Sequence, residues 1–172
     1  DRLSSVGDVL ITGADASVRL EVDLATGFVS MAENSQLQIR TLSVTNTGAR
    51  ITQLFVLQGQ VRLRIRPLTN PNTRIEIYTP AGVSGVRGTE FGVSVGPEGQ
   101  TGVATLEGSV FSSAQGQTVM VEALQQSVIF PGEPPTPPAP LRDDPDLFIE
   151  VLEPLSGQQD ESGRTLVQVV GY

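Results

Sequence analysis

The 172-residue chain carries a formal net charge of -8 and contains no cysteine, histidine, lysine or tryptophan. These absences exclude disulfides, thiolate metal sites and most enzymatic nucleophiles and bases, so we expect no catalytic residue, metal or cofactor. An acidic tail on a near-neutral body argues against a nucleic-acid partner. The 18 glycines and 12 prolines favour an all-β chain, with one complete domain and part of a second.

Apolar and polar residues alternate along most of the first 130 residues, which predicts short strands. Residues 35–44, for example, place Leu37 and Ile39 on one face and Gln36 and Gln38 on the other. The predicted strands are residues 8–12, 17–23, 28–32, 35–44, 50–57, 60–66, 73–79, 90–95, 101–107, 109–112, 117–124 and 126–130. Turn residues separate them, so we predict a β roll, short β-solenoid or sandwich of about a dozen short strands with little or no helix.

A Leu-x-Gly-x-Val sequence occurs twice, at residues 57–61 and 106–110. Each copy ends one predicted strand and opens the next, with Gly59 and Gly108 at the tightest position. Two copies favour a quasi-repeated roll or short solenoid. A hairpin that uses glycine in its turn is the simpler alternative.

Residues 78–91 read Tyr-Thr-Pro-Ala-Gly-Val-Ser-Gly-Val-Arg-Gly-Thr-Glu-Phe. The three spaced glycines open no helix that could receive a phosphate, and a sharp bend or a close approach between strands explains them. Arg87, Thr89 and Glu90 are candidate ligand contacts. The favoured interpretation is structural, with Thr89 bonded to the backbone and Arg87 paired with Glu90 or a neighbouring strand.

Arg62, Arg64 and Arg66 alternate with apolar residues, which places three guanidinium groups on one face of a strand. A solvated face is the favoured interpretation. The alternative is a docking stripe for an acidic partner or an anionic glycan.

Two further patterns carry no chemistry. Residues 92–96 match the G-x-S-x-G nucleophile elbow, but the chain has no histidine and a turn follows the serine where the elbow needs a helix. Asp143, Asp144 and Asp146 lack the ligand spacing of a Ca²⁺ loop. We therefore predict neither a hydrolase nor a metal site.

The segment at residues 78–91, the two Leu-x-Gly-x-Val turns and the Gly-Asp-Val-Leu-Ile-Thr-Gly-Ala-Asp-Ala run at residues 7–16 together resemble the FecR domain, over about residues 1–131. The resemblance implies an extracytoplasmic, non-catalytic signalling module of the bacterial envelope. We interpret the motif residues as structural; they are Thr79, Pro80, Gly85, Arg87, Gly88, Thr89, Glu90 and Phe91, together with Gly59 and Gly108.

Full FecR regulators also carry a cytoplasmic anti-sigma segment and one membrane span. Neither is found in this sequence, so we expect no membrane insertion by this segment and any targeting sequence to lie outside it. A multidomain secreted or surface protein fits this arrangement better than a transporter-coupled regulator.

The tail divides into two parts. Residues 131–146 contain seven prolines and predict an extended polyproline spacer. Residues 147–172 alternate again and are similar to the first two strands of an immunoglobulin-like or fibronectin-like module, which two strands cannot form alone. We therefore predict a domain at residues 1–130, a linker at 131–146 and an incomplete second module at 147–172, truncated or packed on the first domain.

The leading functional hypothesis is a protein-interaction module that binds an envelope protein of unknown identity outside the cytoplasm. The alternatives are a carbohydrate or peptidoglycan binding module and a ligand-free structural spacer. Sugar sites usually display aromatic platforms, and this chain offers only two tyrosines and no tryptophan. The oligomeric state stays open.

Overall fold

The computed structural model describes residues 5–22, 26–86, 88–141, 149–151 and 169–171, and every element in these ranges is a β-strand. The all-β prediction is therefore confirmed. The strands are β1 (Val9–Ile11), β2 (Val18–Val22), β3 (Gly27–Met31), β4 (Gln36–Val44), β5 (Arg50–Ile65), β6 (Arg74–Tyr78), β7 (Val83–Val86), β8 (Glu90–Val95), β9 (Thr101–Glu107), β10 (Ser109–Ala114), β11 (Gln117–Glu122), β12 (Gln125–Ile129), β13 (Ala139–Pro140), β14 (Ile149–Val151) and β15 (Val169–Gly171).

Strands β1 to β13 form one continuous sheet that curls into two layers joined by β5. Layer 1 has the strand order β1-β4-β5-β6-β7-β10-β11, and layer 2 has the order β2-β3-β5-β8-β9-β12-β13. Most pairings between these strands are antiparallel, whereas β5 and β6 run parallel. A parallel pair needs a crossover, and the second half of β5 supplies it by passing through layer 2. The result is a roll with one solenoid-like coil.

The 16-residue strand β5 changes layer at Gly59. Leu54 and Val56 are buried before this glycine, and Val61 and Leu63 after it, so the buried positions change from even to odd numbers. Gly59 has φ +85°, a conformation that favours glycine, and the bend lets both halves of β5 turn their apolar side to one core. The sequence predicted two separate strands here, because a glycine between alternating runs also marks a hairpin.

Two more glycines with positive φ lie where the chain changes layer. Gly88, with φ +76°, lies between β7 in layer 1 and β8 in layer 2. Gly108, with φ +79°, lies between β9 in layer 2 and β10 in layer 1. A Cβ added to Gly108 would lie 3.0 Å from the carbonyl oxygen of Gly88, so the two crossings pack against each other. Both Leu-x-Gly-x-Val sequences are thus layer crossings.

The core lies between the two layers and is aliphatic, with one large aromatic side chain, Phe91, that is fully buried. Val93 and Val95 follow Phe91 on the inward face of β8, and Ile75 and Ile77 on β6 are buried in the same core. Burial of each such side chain contributes about 1.5–3 kcal/mol. Packing across the layers therefore holds the curled sheet closed.

Strand β7 was not predicted, because its sequence Val-Ser-Gly-Val lies between glycines that indicate a bend. It pairs with β6 on one side and β10 on the other. Ser84 and Val86 are buried, at 1% and 3% exposure, so buried and half-buried residues alternate over the four residues of this strand. Gly82 supports the expected close approach, since an added Cβ would lie 2.6 Å from the carbonyl oxygen of Ser113.

Within the predicted linker, residues 131–133 form a turn, and the residues that follow, up to 141, bond to layer 2 and do not form a free spacer. The Thr136 N–H donates to the carbonyl of Val128, and the Val128 N–H donates to the Thr136 hydroxyl. Strand β13 then pairs with β12. Proline suits such an edge because it offers no further N–H for pairing.

Strands β14 and β15 pair antiparallel. Asp143, Asp144 and Asp146 lie outside the described residues, and the three-part division of the chain stays a prediction. In the part of the chain that the structure describes, no helix has the length and apolar character needed to cross a bilayer.

Candidate functional site

The outward face of layer 2 brings three of the predicted site residues together. Arg64 lies directly opposite Glu90 in the pairing of β5 with β8, and Arg62 lies one pair further along the same face. The Glu90 carboxylate accepts a hydrogen bond from Arg62 Nε at 3.0 Å and forms an ion pair with Arg64, whose Nε lies 2.9 Å from Glu90 Oε2. Its side chain is 9% exposed, against 38% for Arg62 and 66% for Arg64.

This cluster joins neighbouring strands. A buried carboxylate is costly unless it is paired and hydrogen-bonded, and the two guanidinium groups meet that need for Glu90. Arg66 lies beyond the end of β5, where its backbone N–H donates to the carbonyl of Thr26 and its side chain is exposed. The predicted arginine stripe is thus two arginines bound to Glu90 and a third at the layer crossing.

Thr89 is also placed within the crossing. Its hydroxyl donates to the carbonyl of Ser109 at 3.0 Å, and its own carbonyl accepts from the Ile65 N–H. Arg87 lies outside the described residues, so its expected pairing with Glu90 stays a prediction. The described partners of Glu90 come from β5, 28 residues earlier in the case of Arg62.

The start of the same motif forms the β6–β7 turn. The Thr79 N–H donates to the carbonyl of Gly82, and the hydroxyl of Thr101 lies 2.9 Å from that of Thr79. Pro80 is exposed at this turn. Gly85 lies within β7, and an added Cβ there would meet no atom within 4 Å.

The outward face of layer 1 carries a cluster that sequence reasoning missed. Phe55 on β5 and Tyr78 on β6 are direct neighbours in the parallel pair. The guanidinium carbon of Arg40 lies 3.9 Å from the ring centre of Phe55 and 5.3 Å from that of Tyr78. Such cation–π contacts contribute about 0.5–1 kcal/mol at exposed sites. They also fix the arginine against the sheet.

A hydrogen-bonded group borders these rings. Gln53 Nε2 donates to Glu76 Oε2 at 2.7 Å, and the Tyr78 hydroxyl donates to the same oxygen at 3.1 Å. Burial raises the pKa of the Tyr78 phenol, and the nearby Glu76 carboxylate raises it further. Tyr78 is therefore held as a neutral donor.

Two exposed apolar side chains continue the face towards its edge. Phe111 and Met120 are cross-strand partners on β10 and β11, and each is 44% exposed. Gly85 on β7 pairs with Phe111 on one side and with Glu76 on the other. Because glycine has no side chain, a gap separates the Phe111–Met120 pair from the group around Tyr78. We call the surface of Arg40, Phe55, Tyr78, Phe111 and Met120 the aromatic face. In the sequence, only the alternation within each strand indicated that these side chains point outward. It did not show that they lie on the same face.

Within the described residues, no group of three or more histidine, cysteine, aspartate or glutamate side chains is arranged to hold a metal ion. The fold and its two faces define a two-layer all-β domain whose polar chemistry lies on its outward surfaces. The family profile described as FecR protein matches residues 8–111. The chain therefore belongs to the FecR family, which is a family of signalling regulators.

Solved structures support the same fold. Two crystal structures of a protein assigned as an anti-sigma factor from Parabacteroides distasonis ATCC 8503 match with TM-scores of 0.63 and 0.64 at 11% sequence identity. Each match covers 77% of this chain and 59% of the other. No curated protein matches the sequence. At this identity the likeness shows the shared fold.

Proposed function

We propose that the chain is a non-enzymatic, extracytoplasmic module of the bacterial envelope that takes part in signalling by binding a protein partner through the aromatic face. The observation that carries the proposal is the exposed pair of Phe111 and Met120, 44% exposed each, on the same outward face of layer 1 as the rings of Phe55 and Tyr78. Membership of the FecR family supports the signalling role and the place outside the cytoplasm.

The composition of the aromatic face fits a protein partner. Aromatic residues, methionine and arginine are enriched in protein interfaces, and exposed apolar patches on a domain often mark such sites. Arg40 is already held over two rings, so it would lose little side-chain freedom on binding. A face prepared in this way reduces the entropic cost of association.

The sequence supports a non-enzymatic role. Histidine, cysteine and lysine are absent from the chain, and these residues supply most protein nucleophiles and general bases at neutral pH. Glu90 is a buried carboxylate, but it is paired with two arginines and is nearly inaccessible to a substrate.

Capture from a bacterial envelope extract tests the proposal, with the full chain immobilised. We expect saturable capture of one protein by the native chain and its loss in the double variant Phe111→Ser with Met120→Ser. The matched control is Val44→Ser, which removes an apolar side chain of 61% exposure elsewhere on layer 1. Equal capture by the native chain and the double variant would overturn the aromatic face as the site. Capture of polysaccharide alone would favour a carbohydrate-binding module.

A further inference from the structure

The central outward positions of β8 and β9 hold only small residues. Gly92 pairs with Ala104 across the two strands, and Ser94 pairs with Gly102. All four lie on the face opposite the core residue Val93, and all four are buried. We call this surface the small-residue trough. A solvated sheet face normally carries polar or charged side chains at such positions.

Larger side chains border the trough on both sides. In the pairing with β5, Gln60 lies opposite Ser94 and Arg62 opposite Gly92. In the pairing with β12, Gln126 lies opposite Ala104 and Val128 opposite Gly102. The trough is therefore a shallow channel along two strands, with its floor at the level of the backbone.

Ser94 provides an independent sign that the trough is occupied. Its side chain is 0% exposed, and its hydroxyl has no hydrogen-bond partner in the described part of the chain. A buried hydroxyl without a partner costs free energy, and such groups normally find one. The hydroxyl points into the trough, where a covering backbone would supply a donor or an acceptor.

The covering segment is the beginning of the tail. Strand β14 lies against β8 and β9. The path is short enough, because β13, after which it begins, lies three strands from β8, a distance of about 14 Å. The eight Cα–Cα steps from Leu141 to Ile149 span up to about 27 Å when extended.

Charge also favours the tail as the occupant. Residues 131–172 carry eight acidic residues and two arginines. Arg62, whose side chain is 38% exposed, lies at the border of the trough. An acidic segment passing over this border gains electrostatic attraction that a basic segment would not.

We propose that the C-terminal segment docks in cis on the small-residue trough through β14, so that the start of the second module is packed on the FecR domain. The trough lies on layer 2, opposite the aromatic face, so a partner and the tail would bind without competition. The proposal therefore does not depend on the proposed function.

Cysteine pairing in the full chain tests the docking without background, because the native chain has no cysteine. Ser94→Cys, a nearly isosteric change, is combined in turn with Ile149→Cys, Glu150→Cys and Val151→Cys. The control joins the same tail cysteines to Ser43→Cys, an exposed site on β4 of layer 1. Disulfides formed under mild oxidation are identified by gel mobility and peptide mass.

We expect one of the Ser94 pairs to close within a single chain about tenfold faster than any Ser43 pair, because docking raises the local concentration of the tail at the trough. Equal rates for the Ser94 and Ser43 pairs would overturn the proposal. Disulfides formed only between chains would overturn it too, and would indicate a second copy as the occupant.

A non-covalent measurement complements the pairing. Ala104→Arg fills the trough, so we expect hydrogen exchange at residues 149–151 to rise at least about tenfold, while the amides of β6 in layer 1 keep their protection. Unchanged exchange at residues 149–151 would contradict docking. If the variant lost protection in β6 as well, the arginine would have disturbed the whole domain. The cysteine pairs, which add no bulk, would then decide whether the tail docks.

Discussion

The outward faces of the two layers share one backbone architecture and carry opposite surfaces. Layer 1 exposes long side chains, with Arg40 over Phe55 and Tyr78 and with Phe111 and Met120 open to solvent. The central outward positions of β8 and β9 in layer 2 hold only glycine, alanine and serine. The size of the outward residues thus distinguishes the face that we propose binds a partner from the face that we propose holds the tail.

The two faces also treat a carboxylate differently. On layer 1, Glu76 accepts from the neutral donors Gln53 and Tyr78. On layer 2, Glu90 accepts hydrogen bonds from Arg62, forms an ion pair with Arg64 and is nearly buried. The Glu90 charge is therefore paired with two cations in layer 2, which leaves a positive excess there, whereas the described hydrogen-bond donors to Glu76 in layer 1 are neutral. Paired substitutions on the two layers sharpen this contrast.

The largest effect is expected where the layers join. A Cβ added by Gly59→Ala would lie 2.5 Å from the Cα of Ser35, and φ there is +85°. The left-handed conformation alone costs about 1–2 kcal/mol, and the backbone clash adds to it, so we expect a loss of at least about 2 kcal/mol. Urea denaturation of the purified chain measures this loss.

Gly85→Ala is the matched control within layer 1. An added Cβ meets no atom within 4 Å, and glycine weakens a strand interior, so stability should stay level or rise by up to about 1 kcal/mol. Equal losses for the two variants would show that the bend at Gly59 has no special requirement for glycine.

These glycines illustrate how much the sequence reveals. Alternation placed Leu37 and Ile39 on one face of a strand, and both are buried in the core, because burial on one face repeats every second residue. The turns at Gly59 and Gly108 were located, but their role as layer crossings was not. A glycine with positive φ fits a hairpin and a bend equally, and only the parity of the buried residues around it separates the two.

The candidate sites were less predictable, because strand order decides which residues meet. Arg62 and Arg64 were identified as a stripe and Glu90 as part of a motif, yet their contact depends on the pairing of β5 with β8. The aromatic face depends likewise on β7 separating β6 from β10. Periodicity shows which side chains share a face of one strand, but not which strands are neighbours in the sheet. Such clusters can therefore be identified only once the strand order is known.

The next largest effect is expected at the two carboxylates. Glu90→Gln removes the charge that two arginines share, and we expect it to cost about 1–3 kcal/mol, since hydrogen bonds to charged groups contribute about that much. Glu76→Gln keeps an acceptor for neutral donors and should cost less than about 1 kcal/mol. Thermal or urea unfolding compares them. A larger loss for Glu76→Gln would reverse the assignment of the buried charge to layer 2.

A smaller difference separates the two stacked arginines. Arg40→Ala on layer 1 removes contacts with two rings, and Arg19→Ala on layer 2 removes one contact, 4.3 Å from the ring centre of Phe28. We expect losses of about 0.5–1 kcal/mol for Arg40→Ala and about half of that for Arg19→Ala. Unfolding of each variant and of the double variant measures both. Equal losses would mean that the second ring adds nothing.

The smallest expected effect is the titration of Tyr78. Burial and the Glu76 carboxylate raise its pKa in the folded state, so the folded chain holds the phenolic proton more tightly than the unfolded chain does. The stability linked to this group is fully present below the unfolded pKa of about 10 and is lost as pH rises through the folded pKa. In a Tyr172→Phe background, ultraviolet absorbance reports Tyr78 alone, because the chain has two tyrosines. We expect its midpoint above about 10, and Glu76→Gln should lower it by removing the negative neighbour. A midpoint at or below the ordinary value would show that the aromatic face leaves this hydroxyl in water.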